Sequence, residues 1–441
     1  MRDYLVLAMV LATLPLALYS PFYGLLGFSW LAYMRPQDLA WGMAAELPLS
    51  KWVAAALWLS LILRGKLVVY RRTVVTTAMM LLWGWLLVTC LTAGHRDAAF
   101  EKFTDITKVM LIALITVVLV TDRDRFRITM TVIGFSLGFL GLKYGVYGVL
   151  RGGVHFTRGV GGMIGDNNDF ALALNMALPL VVFVAMQARN RWVHLGALAL
   201  IPMMAVTVVF THSRGGFLSL AALTLFMVVD SRRKVPALVL VAALALVGSV
   251  VVPQSFYERI ASIGSYQSDA SSMGRLNAWR ASFHMANDYP ITGVGLDNFL
   301  YEFVYYAPDP EDIHVAHNTW LQVLAETGYT GLILYVGLFG ATWWTLWRVR
   351  LRAKASGTRW AHDAARCLSA TLVAFMVGGT FLNRAHFDLI YHVMAMCAAL
   401  DRILEWEIRQ RLAAEDEPTA AEPADESHRE SRAADREVVA A

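Results

Sequence analysis

The sequence predicts an all-α integral membrane protein of about 12 transmembrane helices. Three observations predict it. The chain is 57% hydrophobic and only 16% charged, whereas an ordinary soluble domain carries about 25% charged residues. Apolar runs near the roughly 20 residues that cross a bilayer recur along most of its length. Lys and Arg gather in every second connection between those runs, as expected when one set of loops faces the cytoplasm. A large soluble enzyme is the weaker reading, and a net charge of +4 gives no reason to expect a nucleic-acid partner.

The apolar runs fall near residues 4–18, 21–34, 51–63, 74–92, 104–120, 128–150, 168–188, 192–210, 215–229, 235–252, 319–347, 367–382 and 386–404. Pro15, Gly138, Gly141, Pro179 and Pro202 lie inside them and argue little against helix, because membrane helices tolerate both residue types. Residues 4–34 hold two short runs broken near Ser20-Pro21, and 51–63 is short, so full spans and a re-entrant pair both stay open. The Met1-Arg2-Asp3 start, with no small-residue cleavage site after it, is not expected to be a cleaved signal peptide. No internal repeat is visible.

The Lys/Arg-rich connections are Arg64–Arg72, Arg123–Arg127, Arg189–Arg191, Arg232–Lys234 and Arg348–Arg366. These are expected in the cytoplasm. The connections Gly94–Lys102, Arg151–Asn168, Thr211–Gly215, Pro253–Asn318 and Asn383–His386 are then expected outside, in the periplasm of a Gram-negative inner membrane. The long loop 253–318 fits that side, with three Arg against eight acidic residues. Residues 1–404 form the transmembrane domain including that loop. Residues 405–441, rich in Ala, Glu, Arg and Asp, are expected to extend the last helix briefly and then form a largely disordered cytoplasmic tail.

Several chemistries find no support. There is no Gly-rich phosphate loop ending in Lys-Ser or Lys-Thr, no HExxH and no tight Asp/Glu/His cluster. No nucleotide, metal or other cofactor is therefore expected. Cys90, Cys367 and Cys397 sit in apolar runs and read as small buried side chains.

Three helix starts carry the polar chemistry. By the charge alternation, helices beginning near Asn168, Gly215 and Thr319 run inward from the outer face. Their first-turn N–H groups and positive dipole ends would point outward, a ready site for an anion. Ahead of the first stand Arg158, a run of glycines, and Asp166-Asn167-Asn168-Asp169; the Asn/Asp group suits helix capping and sugar hydroxyls. Ahead of the second stands Thr211-His212-Ser213-Arg214. An arginine beside apolar segments is costly unless paired, and a phosphate partner is favoured over a structural ion pair. Ahead of the third stand His314 and His317-Asn318, of which His317 abuts the helix start. The long loop adds Ser271 to Arg280, whose apolar spacing suggests an amphipathic helix. Arg275 and Arg280 would reach the same anion, or snorkel to lipid head groups.

These residues resemble the O-antigen ligase and O-antigen polymerase superfamily, most closely its O-glycosylation-ligase-like branch. The resemblance rests on the many-helix layout, one large late periplasmic loop, and two spaced motifs: R-x3-L at Arg214 and Leu218, and H-x10-G at His317 and Gly328. It implies a GT-C-like, metal-independent, inverting glycosyltransferase. The donor would be a glycan on undecaprenyl pyrophosphate and the acceptor a sugar hydroxyl of lipid A-core. His317 would be the catalytic histidine, and Arg214 with Arg275 would hold the pyrophosphate; the reading of the residues themselves adds Arg158 and Arg280 to that anion site. Asn167, Asn168 and Asp169 would meet sugar.

The chemistry of the residues agrees with that implication. A glycosyl pyrophosphate is already activated, so no ATP is needed. Arginine forks and helix dipoles stabilise the departing anion. A neutral histidine takes the acceptor's proton near neutral pH. The alternatives within the superfamily are a repeat-unit polymerase and a ligase that glycosylates protein or exopolysaccharide. The alternative of another class is a transporter of lipid-linked glycans. Transporters carry their charges near the bilayer midplane, whereas here the notable charges cluster at one face.

Overall fold

Each expected apolar run that lies among the described residues is a helix. The structure is a computed structural model describing residues 2–40, 42–65, 72–231 and 270–416. The run 235–252, the loop residues 253–269, the basic stretch Arg232–Lys234 and the tail beyond 416 lie outside them. The first half comprises α1 (Arg2–Tyr19), α2 (Pro21–Met34), α3 (Met43–Glu46), α4 (Leu49–Leu63), α5 (Val74–Thr92), α6 (Arg96–Leu119) and α7 (Arg123–Leu150). After a hairpin of β1 (Arg158–Gly161) and β2 (Ile164–Asp166) come α8 (Asn167–Gln187), α9 (Arg191–Phe210) and α10 (Arg214–Val229). The late part holds α11 (Ala270–Asp288), α12 (Phe299–Tyr306), α13 (Thr319–Ala355), α14 (Arg359–Gly379) and α15 (Asp388–Asp416).

Six of these helices, α1, α5, α7, α8, α9 and α13, are long and apolar enough to cross a membrane, and α4 and α10 are apolar but shorter. Helices dominate because a backbone in hydrocarbon must satisfy its own N–H and C=O groups. Residues 158–166 depart from the all-α expectation. Gly161 (φ 131°) and Gly162 (φ 52°) turn the chain in a conformation that L side chains resist. Arg158 pairs antiparallel with Asp166, and Gly161 with Ile164. A side chain at Gly161 would strike Asp38 and one at Gly162 would strike Arg35, so the hairpin tip docks on the turn that follows α2, where Arg35 and Asp38 form an ion pair.

The central helix is α8, most of whose apolar length is buried. It packs against α7, α9 and α14. The close approach has a sequence cause on α7: Gly134, Gly138, Gly141, Gly145 and Gly148 recur every three or four residues and share one face. A Cβ at Gly141 would lie 2.6 Å from Met204 Cγ, and one at Gly145 2.7 Å from the Met203 carbonyl oxygen. Thr207 uses that proximity, donating from Oγ1 to the Gly141 carbonyl at 2.7 Å. Small residues let membrane helices approach this closely. Gly145→Leu is expected to force α7 off α9 and to cost about 1–3 kcal/mol, the usual range for overpacking. An unchanged thermal midpoint of the purified variant in detergent would contradict that packing.

One expected span is altered. Residues 319–347 were expected as a single apolar run, but α13 breaks at Gly328 (φ 70°, ψ −175°). Residues 290–295 dock at the break. Tyr329 N–H donates to the Pro290 carbonyl at 2.8 Å, and Val294 N–H donates to the Ala325 carbonyl at 2.9 Å. A Cβ on Gly328 would sit 2.4 Å from the Ile291 carbonyl oxygen. Thr319–Thr327 is thus a short arm ahead of the long helix, and glycine is required at 328 by both dihedral and space.

Candidate active site

The three expected helix starts meet, and a fourth segment fastens them. Asn167 Nδ2 donates to the Thr211 carbonyl at 2.8 Å, and Asn175 Nδ2 to the Gly216 carbonyl at 2.8 Å, joining the start of α8 to that of α10. The fourth segment is the connection 380–387 between α14 and α15. A Cβ at Gly215 would lie 2.7 Å from Phe381 Cβ, so α10 begins against it. Thr319 Oγ1 donates to the Leu382 carbonyl at 2.9 Å and accepts from Arg384 N–H at 3.2 Å. Trp320 Nε1 donates to Thr380 Oγ1 at 3.1 Å. Arg384 closes the ring, forming a two-point ion pair with Asp169 in the first turn of α8.

The helix starts are capped more fully than the sequence suggests. Asp166 accepts from Asn168 N–H at 2.8 Å, Ser213 Oγ from Gly216 N–H at 3.0 Å, and Asn318 Oδ1 from Trp320 N–H at 3.0 Å. Some first-turn donors expected to face outward unpaired are therefore engaged by their own caps. The dipole of each helix still leaves a positive end at the junction.

His317 stands at this junction, half-buried, immediately before the Asn318 cap. Burial holds its imidazole below the usual range, and the Arg275 charge pushes it the same way. Arg384 and His314 add to the lowering, while Asp166 opposes it. Arg275 comes from α11, which packs on the segment before His317: Trp279 Nε1 donates to the Ala316 carbonyl at 2.8 Å, and Asn277 Nδ2 to the Asp309 carbonyl at 2.7 Å. The backbone at His317 is left-handed (φ 43°), and so is that at His212 (φ 52°), just ahead of α10. Such conformations cost roughly 1–3 kcal/mol in non-glycine residues and collect at functional sites. The His212 ring also stacks on His155, 4.3 Å between centroids.

The other expected site residues fall as follows. Arg214 is half-buried at the first position of α10, beside the Phe381 segment. Arg158 is exposed at the start of β1, opposite Asp166. Asn167 and Asn168 are half-buried; the Asn168 amide donates to Asp166 Oδ1 at 2.9 Å, so both side chains tie the loop together. Asp169 is buried, with both carboxylate oxygens on Arg384. Arg280 is exposed on α11. Five residues from Arg275, it points roughly 140° away around the helix, so the two arginines do not share a face. His314 bonds Asp312, Nε2 to Oδ1 at 2.8 Å. Arg384 was missed from sequence; the available signal was an arginine in Asn383–His386, one of the connections expected to be poor in basic residues.

Residues 198–336 match the family model described as O-antigen ligase. That stretch holds Arg214, Arg275, Arg280, His317 and Gly328. Residues 1–186 match a family of unknown function, and this part holds Arg158 and the 166–169 cluster. Arg384 lies outside both. No curated protein matches the chain.

Proposed function

We propose that this chain, a member of the O-antigen ligase superfamily by its match over residues 198–336, transfers a glycan from undecaprenyl pyrophosphate to a sugar hydroxyl of lipid A-core. The reaction is metal-independent and inverting, at the periplasmic face of the inner membrane. The proposal includes about 12 crossings in a GT-C-like arrangement, with Arg348–Arg366 in the cytoplasm.

One observation carries the reading: a half-buried histidine stands at the junction of three positive helix ends, where Arg275 and Arg384 act against its protonation. The cations and dipoles suit the pyrophosphate, whose charge grows as the glycosidic bond breaks. A histidine kept neutral by the same charges suits removal of the acceptor's proton. The hydroxyl oxygen attacks the anomeric carbon, its proton passes to His317, and the bond's electrons leave with the pyrophosphate. Asp169 positions Arg384. Arg214 stands at the α10 end of the junction and binds the pyrophosphate. Arg158, at the hairpin, contacts the donor from the outer side. Arg280 meets head groups at the rim.

Arg214→Ala is expected to lower turnover by about 100-fold or more, the scale seen when one transition-state donor is lost. Arg214→Lys restores part of it, because a point charge replaces a bidentate fork. A fully active lysine variant would remove the bidentate role. The function is tested by supplying purified protein with lipid-linked glycan, in EDTA and without nucleotide. Lipid A-core and further lipid-linked glycan are offered as separate acceptors. Product on lipid A-core is expected; elongation of lipid-linked glycan alone would identify a polymerase.

A further inference from the structure

A charged cavity lies away from the His317 junction, toward the other end of the bundle. Its volume is about 390 Å³, and its lining includes Asp230, Trp347, Arg350, Lys354, His362 and Arg366. Arg350 follows Gly328 along α13 by roughly 33 Å at about 1.5 Å per residue, so this cavity is separate from the His317 junction. Three elements build it: the C-terminal end of α10, the last turns of α13, and α14.

The cations there are organised. Asp230 is shared by two arginines, accepting from Arg350 on one carboxylate oxygen and from Arg366 Nε on the other at 2.8 Å. One carboxylate thus fixes two guanidinium planes at the cavity wall while neutralising only one of them. Lys354 lines the same space and is exposed. Arg350, Arg366 and Lys354 against the single carboxylate of Asp230 leave an excess of positive charge among these lining groups. Such a group favours an anion with several acceptor oxygens, and fixed arginine forks suit a phosphate in particular.

The aromatic neighbours indicate the depth. Trp347 is 47% exposed and Trp344 is 52% exposed. Their rings lie 4.8 Å apart on the outer face of α13. Exposed tryptophans beside a cationic pocket at the end of an apolar helix mark the level of lipid head groups.

We propose that this cavity binds the phosphate of an anionic phospholipid head group, with Arg350, Arg366 and Lys354 around the phosphate and Trp347 beside the glycerol and upper acyl region. Free phosphate shares that chemistry, and the tryptophans favour the lipid. The site rests on the membrane reading of the chain and is independent of glycan transfer.

The test uses the full-length protein in detergent, read by thermal denaturation, with no activity measured. The added probes are phosphatidylglycerol, phosphatidylethanolamine and inorganic phosphate. Phosphatidylglycerol is expected to raise Tm by several degrees more than phosphatidylethanolamine or phosphate. Lys354→Glu is expected to lose most of that increment while keeping its lipid-free Tm, since Lys354 is exposed. Lys354→Gln, the milder variant, loses part of it. An equal increment in the wild type and both variants would overturn the site, as would an equal effect of phosphatidylethanolamine. An equal effect of phosphate alone would overturn the lipid assignment.

Discussion

Asp169→Asn is expected to lower the stability of the protein by about 3 kcal/mol, because it leaves the Arg384 guanidinium without the carboxylate it contacts, with Asp166 and Asp388 acting on it through charge alone. Breaking a buried pair from one side costs about 3–5 kcal/mol. The low end applies because the Arg384 side chain remains 31% exposed, whereas that of Asp169 is 3% exposed. Arg384→Ala damages the same place from the other side, leaving a buried carboxylate with no cation. The double variant Asp169→Ala/Arg384→Ala removes both charges and is expected to recover most of the lost stability, as replacement of whole buried pairs often does. The 380–387 segment would still be held to the start of α13 through Thr319 and Trp320. Turnover would not recover, since Arg384 also serves the pyrophosphate. Thermal denaturation and transfer assays on the three variants separate the roles. A stable double variant with full turnover would reduce Arg384 to a structural residue.

His317→Gln is expected to reduce turnover by about 10²–10⁴-fold, the usual worth of a general base, with donor binding retained. Glutamine keeps a polar group of similar reach but takes no proton. The wild-type rate has a sign that follows from the shifted imidazole. A base works in its neutral form, so the rate falls as pH drops through its pKa. Burial and Arg275 lower that pKa, so the acid limb should be centred below the unperturbed value of about 6.5. His314→Ala is the control and should be mild, because His314 bonds Asp312 and stands back from the helix start. An acid limb centred above 6.5, or substantial activity in His317→Gln, would leave the acceptor's proton without this acceptor.

The long bundle helices were legible in the sequence because each is announced by an apolar run, whereas the short α3 and α12 lie in no such run. Residues 168–188 became α8 and 192–210 became α9 almost to the residue. The glycines of α7 were legible as tolerated and not as packing, since spacing alone does not name the partner helix; Met203, Met204 and Phe210 supply it. The H-x10-G spacing acquires a physical reason in the structure. It measures the arm from His317 to the break at Gly328, where the Ile291 carbonyl leaves no room for a side chain. The Asp169–Arg384 pair was not legible, because its partners are 215 residues apart and only the assembled bundle joins them. Asp169 therefore read as a sugar ligand. Apolar spacing foretold the α11 helix, but a five-residue step around it turns Arg275 and Arg280 roughly 140° apart.

The proposed transfer is a single displacement in which the acceptor hydroxyl attacks the anomeric carbon while His317 takes its proton and the cations hold the departing pyrophosphate. The anomeric configuration of the newly formed bond tests it most directly, read by NMR on product made from a donor of known configuration. Inversion is expected, with one undecaprenyl pyrophosphate released for each glycan transferred. Retention of configuration would contradict it, since that outcome requires a second displacement through an intermediate that a lone histidine base does not provide.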